Sequence, residues 1–332
     1  MPRVVSTPSA NDAAVARFRA DLTALTGPLG ESEPIGLAVS GGPDSLALLL
    51  LAHAALHGRI SVATVDHGLR PEAAEEAAMV GRVCGDLGVR HFILTQDRHP
   101  GMGNVQAKAR MLRYRLLGSW AEQEALDFIA TAHHRDDVAE SFLMRALRGS
   151  GVGGLAQMSG CGPIPYTPDT KAKLIRPLLG WSRGELAGVV EQAGLEAAQD
   201  PSNTDPRYDR VRIRDLLKRE PALDPDQLAR AASNLADAEA ALAWITEQAW
   251  RSRMERGDSG DLRIDPNDLP AEIQRRLAAR AIGLLSPGWD GDGLDRLVAQ
   301  LMAGRTATLA GVKACGGGMW HFGIAPAHRG HR

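Results

Sequence analysis

Residues 35–46 read IGLAVSGGPDSL: an apolar run, a glycine turn and the first residues of a second apolar run. Pro34 and the two glycines bound the first run, which predicts a short buried strand, and the second run predicts a helix from Ser45 to His57. Glycines between a strand and a helix let an anion approach the backbone, and the helix dipole favours negative charge there. This stretch therefore predicts an anion-binding loop at the end of a buried strand.

Strands and helices continue to alternate after this loop. Four further strands are predicted, at ISVATVD (60–66), HFILT (91–95), DFIATA (127–132) and KLIRPL (173–178). Helices are predicted at 71–87, 104–126 and 136–147 and from Ser182 onward. Such alternation with short connections is typical of an α/β fold with a doubly wound parallel sheet. Ligands of these sheets bind at the carboxyl ends of the strands, where SGGPDS, DHGLR (66–70) and AHHRDD (132–137) lie.

The pattern changes after about residue 220. A long Ala-rich helical stretch covers 223–256, DLRID (261–265) predicts a short strand, and two helices follow. TATLAGVKA (306–314) and MWHFGIA (319–325), which glycines separate, predict a hairpin. These patterns divide the chain into a domain at 1–220, a helical linker at 221–257, and a smaller, mainly helical α+β C-terminal domain at 258–332.

Composition argues against several classes of protein. The formal net charge of the 332 residues is −2, so a nucleic-acid surface must come from local basic clusters. Cys84, Cys161 and Cys315 are far apart and form no C-x-x-C pair, which argues against a disulfide framework, a zinc ribbon and an iron–sulfur site. The first residues show no signal-peptide core, and no apolar run is long enough to span a membrane. We expect a cytoplasmic protein without membrane contact.

Asp44 is unexpected in an anion-binding loop, because a bare carboxylate repels phosphate. The loop is not a Walker A motif, since GxxxxGK[ST] is absent and no lysine follows the glycines. A Mg²⁺ ion between Asp44 and phosphate would turn the repulsion into attraction. The alternative is an ordinary tight turn in which Asp44 and Ser45 only cap the helix. Ser40 and Ser45 add hydroxyl donors to the loop.

A second acidic group follows the fourth strand. Asp137 and Glu140 are three residues apart and share a face of the predicted helix. The alternative reading is a solvated acidic helix start that complements the dipole, and we favour it for Asp136. His133 and His134 end the strand without a third ligand at zinc spacing, so a structural zinc site is rejected.

Arginines form further candidate sites. Arg110 and Arg113 lie three residues apart on one predicted helix, where they either form a solvated basic face or bind phosphate or carboxylate, which we favour. Arg145 and Arg148 flank the RGSG turn, in reach of a nucleic-acid backbone. A basic stripe beside Tyr208 comprises Arg207, Arg210, Arg212, Arg214, Lys218 and Arg219. Such a stripe suits the stem and loop of an RNA hairpin.

SGGPDS resembles the PP-loop of the N-type ATP pyrophosphatases, and other segments narrow the resemblance. These segments are VDHGLR (65–70), NVQAKARMLRY (104–114), 130–158 with AHHRDDVAES, RPLL (176–179) and DPSNTDPRYDRVRIR (200–214). In this order and spacing, residues 35–217 resemble the tRNA(Ile)-lysidine synthetases, and the later part resembles that family's first C-terminal domain more weakly. The resemblance implies an adenine nucleotide alpha hydrolase-like fold, with 1–220 as the PP-loop ATP-binding catalytic domain and 258–332 as a tRNA-positioning domain.

The resemblance implies a ligase that forms a C–N bond. Such an enzyme uses ATP and Mg²⁺ to adenylate O2 of the wobble cytidine in tRNA(Ile) with anticodon CAU. The ε-amine of free L-lysine then attacks C2, and lysidine, AMP and pyrophosphate result. The implied partners are that tRNA and free lysine, with homodimerisation left open.

Site residues follow from the resemblance together with this chemistry. Those expected to act in catalysis are Asp44, as the Mg²⁺ ligand, Asp137 and Glu140, in contact with lysine or Mg²⁺, and Arg113. Those expected to bind ATP are Ser40, Gly41, Gly42, Pro43, Asp44, Ser45, His67 and His133. Those expected to contact tRNA or another substrate are Arg110, Arg145, Arg148, Arg207, Arg210, Arg212 and Arg214.

Three other functions use the same loop or a related fold. Another PP-loop tRNA-modifying enzyme, such as a cytidine thiolase, is the main alternative, but thiolating relatives need catalytic cysteines, and neither Cys84 nor Cys161 has a partner nearby in sequence. An amidotransferase needs a glutaminase domain with a nucleophilic cysteine, for which the chain has no room. A non-enzymatic nucleotide sensor would leave the acidic helix start and the basic clusters without a purpose.

Overall fold

The strand before the glycine loop lies in the middle of a six-stranded sheet. The strands are, in chain order, β1 (Ile35–Ala38), β2 (Ile60–Asp66), β3 (Arg90–Thr95), β4 (Phe128–Ala130), β5 (Cys161–Pro163) and β6 (Lys173–Ile175). Their spatial order is β3-β2-β1-β4-β6-β5. Neighbouring strands pair in parallel, except that β5 runs antiparallel to β6 at the edge. The predicted doubly wound parallel sheet is confirmed.

The computed structural model describes residues 7–9, 12–30, 33–66, 72–95, 105–156, 158–198 and 209–326. The chain divides into two compact units, Met1–Ala236 and Asp237–Arg332. The helices of the first unit are α1 (Ala13–Thr26), α2 (Pro43–Leu56), α3 (Glu72–Asp86), α4 (Val105–Gln123), α5 (Arg135–Leu147), α6 (Val152–Leu155), α7 (Arg183–Gln192) and α8 (Asp209–Arg219). In the part of the chain that the structure describes, no helix combines the length and the apolar character needed to cross a membrane.

Helices cover both faces of the sheet because successive residues of a strand point to opposite sides. Leu37 packs into a core formed with α1, α2, α3 and α7, whereas Ala38 packs against the core formed with α4. Almost every residue of α2 from Ser45 to Leu56 is buried, which explains why this helix is apolar on all sides. The glycine loop is therefore attached to a rigid, fully packed element.

The path of the chain creates a crevice at the end of β1. From β1 the chain moves outward through β2 to β3, and α4 then carries it back to β4 on the other side of β1. The loops that leave β1 and β4 therefore part in opposite directions, and a ligand crevice opens between them. SGGPDS follows β1 and AHHRDD follows β4, so these two segments meet at one edge of the sheet.

Gly36 lets α4 pack directly on β1. A Cβ atom at this position would lie 2.5 Å from Ile129 Cδ1 and 2.8 Å from both Leu126 Cδ1 and Trp120 Cζ3. All three side chains are buried, so a methyl group has room only if a close-packed region shifts.

Replacing Gly36 with alanine is expected to lower the free energy of unfolding of the first unit by about 1–3 kcal/mol, the usual cost of overpacking a core. Gly85→Ala is the matched control, because a Cβ atom on this exposed helical glycine meets nothing within 4 Å. The control should leave stability unchanged or raise it by up to about 1 kcal/mol. Denaturant unfolding measures both variants, and equal stability of the two would contradict the close approach at Gly36.

A separate antiparallel sheet forms the centre of the second unit. Its elements are β7 (Met254–Arg256), β8 (Leu262–Ile264), α10 (Ala271–Leu285), α11 (Leu294–Met302), β9 (Thr306–Leu309), β10 (Val312–Cys315) and β11 (Trp320–Ile324). The strand order is β7-β8-β11-β10-β9, and α10 and α11 pack their apolar faces on this sheet. The predicted linker is occupied by α9 (Pro225–Arg253), a continuous helix of 29 residues that contains the division between the units.

The stretch TATLAGVKA forms two strands, where the sequence pattern predicts one. β9 and β10 pair around Ala310 and Gly311, whose φ angles are 49° and 77°. This is the geometry of a tight two-residue hairpin turn. The prediction was wrong here because Ala-Gly is a weaker turn signal than Asn-Gly or Asp-Gly. The predicted pairing with MWHFGIA is present as β10 and β11.

Candidate active site

A cavity of about 400 Å³ opens at the carboxyl ends of β1 and β4. Its lining residues are Ala38, Val39, Ser40, Gly42, Pro43, Asp44, Ser45, Ala63, Val65, Glu76, Arg113, Tyr114, Thr131, Ala132, His133, Asp137, Ala198, Arg210 and Arg214. They come from the ends of β1, β2 and β4, from the glycine loop, from the loop after α7, and from five helices. The cavity therefore joins segments that are far apart in sequence, at the place where a doubly wound sheet binds its ligand.

The glycine loop presents its backbone to this cavity. Gly41 has a φ of 88°, and a Cβ atom there would lie 3.0 Å from Met79 Cε. Gly42 is the N-cap of α2, and no side chain of the described residues caps the first turn, so its N–H groups remain for a ligand. Ser45 is buried, and its hydroxyl accepts a hydrogen bond from Ser40 N (3.2 Å) and donates one to Gly42 O (2.9 Å). Ser45 therefore holds the loop in shape.

Asp44 lies in the first turn of α2, at the mouth of the loop. Its side chain is 30% exposed, and Oδ2 lies 3.4 Å from Nε2 of His134. Oδ1 is buried, and no described residue donates a hydrogen bond to it. Leaving a buried carboxylate oxygen unpaired costs stability, and Mg²⁺ coordinates such oxygens together with those of phosphate. Asp44 therefore fits the role of a single protein ligand for Mg²⁺ beside a bound triphosphate.

His134 connects the two sides of the crevice. It is 1% exposed and is the N-cap of α5. The ring Nδ1 accepts a hydrogen bond from Asp136 N (3.2 Å), and the backbone N–H of His134 donates one to Asp137 Oδ2 (3.1 Å). Its Nε2 lies 3.4 Å from Asp44 Oδ2 and 3.6 Å from Asp137 Oδ2. The imidazole thus bridges the loop after β1 and the start of α5.

Carboxylates control the charge of the His134 ring. Burial lowers the pKa of the imidazole, but the nearby carboxylates of Asp136, Asp44 and Asp137 outweigh burial and raise the pKa to about 9. In the neutral ring, Nδ1 accepts a hydrogen bond from the backbone N–H of Asp136. A charged ring cannot accept there, so on protonation Nδ1 must instead donate to the carboxylate of Asp136, which lies 3.5 Å away. Nε2 carries a proton in both forms and lies 3.4 Å from Asp44 Oδ2, although it forms no aligned hydrogen bond among the described residues.

Glu140 lies behind the cavity and does not line it. Its side chain is 1% exposed. Oε1 accepts hydrogen bonds from Arg214 Nε (2.9 Å) and Arg183 Nη2 (3.2 Å), and Oε2 accepts from Arg210 Nε (2.7 Å) and Arg214 Nη2 (3.4 Å). Burial raises the pKa of this carboxyl, but the arginines outweigh burial and hold the pKa below its usual value. The predicted contact of Glu140 with lysine or Mg²⁺ would require one of these arginines to move.

Helix geometry divides the predicted basic stripe into two groups. Arg210 and Arg214 are four residues apart on α8, line the cavity and pair with α5; Arg210 Nη2 donates to Asp137 Oδ1 (2.8 Å). Arg212 is exposed and pairs with Asp209, as does Arg148 (2.6 Å). Among the described residues the stripe therefore supplies two cavity arginines, Arg210 and Arg214, and three exposed cations, Arg212, Lys218 and Arg219.

His133 lines the cavity, and its Nδ1 lies 2.9 Å from Thr131 Oγ1. Its pKa falls to about 3, first because the ring is buried and then because four cationic side chains surround it. Those side chains are Arg176, Arg210, Arg110 and Arg113. At neutral pH the ring is therefore uncharged, which suits stacking or hydrogen bonding with a nucleoside more than attraction of phosphate.

Of the other residues that the sequence assigns to the site, some line the cavity and some do not. Arg113 lines the cavity, whereas Arg110 lies outside the lining with its guanidinium 5.1 Å from the Tyr114 ring. Arg145 is exposed and donates to Gly154 O (2.8 Å), away from the cavity. His67 and Arg207, which the sequence also assigns to the site, lie outside the described residues.

The sequence patterns assign no role to three residues that the fold brings to the site. His134 and Tyr114 lie in the segments AHHRDD and QAKARMLRY, so the sequence pattern indicates that they are near the site. It does not indicate which side chains they contact. Arg183 begins α7, and its backbone N–H donates to Asp136 Oδ2 (2.9 Å). Asp136 is therefore a link between α5 and α7 as well as part of a helix start. Burial raises the pKa of its carboxyl, but the interactions with His134 and with the backbone N–H of Arg183 outweigh burial and lower the pKa to about 2.

Comparison with known proteins shows close relatives. The family model of the PP-loop domain matches residues 15–220. The tRNA(Ile)-lysidine synthase of Novosphingobium aromaticivorans is 45% identical over 324 residues, which cover 96% of each chain. That of Zymomonas mobilis subsp. mobilis is 43% identical over 309 residues, 92% of each chain. That of Ruegeria pomeroyi is 43% identical over 262 residues, 76% of this chain and 61% of the relative.

A solved structure shares the fold at low sequence identity. It is the U34-tRNA thiolase NcsA from Methanococcus maripaludis with its [4Fe-4S] cluster, which has a TM-score of 0.54 and 19% identity. The match covers 68% of this chain and 81% of the thiolase. At this identity the likeness concerns the fold alone.

Proposed function

The chain belongs to the tRNA(Ile)-lysidine synthase family of PP-loop domain proteins, and on this basis we propose that it forms lysidine in tRNA(Ile) with anticodon CAU. In the first step, O2 of the wobble cytidine attacks the α-phosphorus of ATP and pyrophosphate leaves. In the second step, the ε-amine of free lysine attacks C2, the C2–O2 bond breaks, AMP leaves with O2, and the amine loses a proton.

One observation carries this proposal: an anion cradle ends in a carboxylate oxygen without a partner. The uncapped first turn of α2 and the Gly41–Gly42 backbone suit the β- and γ-phosphates of ATP. Asp44 Oδ1 then needs a cation between itself and the phosphates. A loop that holds the β- and γ-phosphates leaves the α-phosphorus open to attack, which is what adenylation of the cytidine requires.

Asp44 would hold Mg²⁺ through its carboxylate in this arrangement. Mg²⁺ supplies charge neutralisation for the phosphates and for the leaving pyrophosphate. The described residues contain no cluster of three or more His, Cys, Asp or Glu side chains arranged around a metal position. Phosphate oxygens and water would therefore complete the coordination, as is usual for Mg²⁺ bound with a nucleotide.

The opposite wall of the cavity suits lysine and the cytidine. Arg113 lines the cavity and forms no ion pair with any described residue, so it is available to a carboxylate or a phosphate. Asp137 also lines the cavity and shares its charge with Arg210, and it would attract the α-amino group of lysine. The uncharged ring of His133 would contact the nucleoside. The exposed Arg145, Arg148 and Arg212 would contact the tRNA backbone.

A thiolase reaction is less well supported, because the cysteines are in the wrong places. Cys84 is fully buried, and burial raises the pKa of its thiol to about 12, so it is a poor nucleophile. Among the described residues that line the cavity, none is a cysteine. A sulfur-transfer step would have no thiolate beside the nucleotide, whereas attack by the amine of lysine needs none.

The test is incorporation of labelled lysine by the purified protein. With ATP, Mg²⁺ and a tRNA(Ile) bearing CAU, we expect lysine to become attached to the tRNA and AMP to form in equal amount. The same tRNA with uridine at the wobble position, and a methionine tRNA, are the controls and should take up no lysine. Failure of the CAU tRNA to accept lysine, with ATP binding intact, would overturn the proposed function.

A further inference from the structure

We propose that His134 is a positioning residue, which holds the carboxylate of Asp44 in place for a Mg²⁺ ion bound with ATP. This inference rests on the proposed function only in so far as it takes ATP and Mg²⁺ as ligands of the loop. It separates two tasks of one side chain: Nδ1 caps α5, and Nε2 orients Asp44.

The contacts of the carboxylates show which of them depends on His134. Asp137 has other partners, since Oδ1 accepts from Arg210 Nη2 (2.8 Å) and Oδ2 accepts from the backbone N–H of His134 (3.1 Å). Asp44 has a single close cationic or donor side chain among the described residues, His134 Nε2 at 3.4 Å from Oδ2. Removing the imidazole therefore frees the carboxylate of Asp44 to rotate but leaves Asp137 paired.

The buried position of His134 also suits a residue that orients the carboxylate of Asp44. The ring is 1% exposed, and its Nδ1 faces Asp136, as acceptor from the backbone N–H when the ring is neutral and as donor to the carboxylate when it is charged, so Nε2 faces the loop in both forms. Nε2 lies 3.4 Å from Asp44 Oδ2 without an aligned hydrogen bond in this structure, so it attracts that carboxylate through the partial positive charge of its N–H and, when the ring is protonated, through the full charge. A buried donor with a restrained rotamer holds a ligand carboxylate in place without touching the metal, and changes at such residues typically weaken metal binding.

Two substitutions separate the two tasks. His134→Asn places an amide oxygen near the position of Nδ1, and asparagine is a preferred N-cap, but its side chain is too short to reach Asp44. His134→Gln extends an amide N–H toward the position of Nε2 but is a poor cap. We expect the Asn variant to melt close to the wild type and to bind metal poorly, and the Gln variant to melt several degrees lower and to bind metal nearly normally.

Metal binding can be measured without the reaction. Mn²⁺ serves as the probe, with a non-hydrolysable ATP analogue, and free Mn²⁺ is followed by EPR on the full chain. For His134→Asn, the Mn²⁺ dissociation constant should rise by about tenfold or more. In a background of Asp44→Asn, the same substitution should cause no further loss, because the residue on which His134 acts has been removed.

The outcomes are distinguishable from those of the lysine assay. Normal Mn²⁺ binding by His134→Asn, or losses that add fully to those of Asp44→Asn, would overturn the positioning role. Losses in both variants that follow the drop in melting temperature would mean that His134 acts only as a cap, which would also overturn it. Absence of lysine incorporation together with the expected Mn²⁺ pattern would overturn the proposed function and leave this inference standing.

Discussion

Replacing Asp44 with asparagine should abolish lysidine formation and the lysine-independent adenylation step alike. The amide is neutral, so it neither binds Mg²⁺ as a carboxylate does nor balances its charge, and loss of this contribution is worth several kcal/mol in the transition state. We expect tRNA-dependent release of pyrophosphate, measured without lysine, to fall by about a thousandfold, which corresponds to about 4 kcal/mol. The fold should remain, because α2 is held by the core and not by this side chain.

A surface carboxylate provides the matched control for this experiment. Asp86 ends α3, is exposed, and lies outside the cavity lining, so Asp86→Asn changes charge equally without touching the loop. The melting temperature of Asp44→Asn should change little, since the attraction to His134 that is lost is offset by removal of the charge from a buried oxygen that has no hydrogen-bond partner among the described residues. If Asp44→Asn retained adenylation, the role of Asp44 in binding Mg²⁺ for the reaction would be contradicted.

Glu140→Gln is expected to destabilise the first unit strongly. The carboxylate is 1% exposed and bonds to three arginines, so a neutral amide leaves several guanidinium groups without their counter-charge. Because these arginines are partly exposed, we expect a loss near the lower end of the range for a broken buried ion pair, about 3 kcal/mol in the free energy of unfolding. Arg210 and Arg214 line the cavity, so both chemical steps should slow together.

The pH dependence of this loss follows from the direction of the pKa shift. The pKa of Glu140 is held below its usual value in the folded protein, so its stabilisation is fully present above the unfolded pKa and is lost as pH falls through the folded one. The difference in unfolding free energy between wild type and Glu140→Gln should therefore be constant near neutral pH. It should shrink on acidification below about pH 4.5.

A second carboxylate shows what an ordinary ion pair contributes. Glu124 pairs with the exposed Arg90 at 2.9 Å, and Glu124→Gln should cost less than about 1 kcal/mol. If Glu140 instead acted by direct contact with lysine, Glu140→Gln would keep its melting temperature and raise only the KM for lysine. Urea unfolding and lysine-dependent kinetics on the same preparations distinguish the two roles.

Local patterns were sufficient for most of the first sheet. ISVATVD is β2, and the predictions at 35–39 and 91–95 differ from β1 and β3 by one residue. Buried parallel strands are continuous apolar runs, so they can be recognised without knowledge of their partners. β5 has no counterpart among the predicted strands, because its three residues are too few for a periodic pattern and only pairing with β6 defines them as a strand.

The sequence by itself determined the anion loop, the sheet and the family resemblance, because each of these depends on residues that are contiguous or regularly spaced. The glycines, the helix start and Asp44 form one uninterrupted segment, whose backbone geometry is local. The tertiary structure alone decided how the charged side chains are used. Glu140 is turned to arginines 43, 70 and 74 residues away, and His134 meets Asp44 across the crevice. Hydrogen bonds and ion pairs depend on distance in space, and only packing of α5 against α7 and α8 establishes those distances.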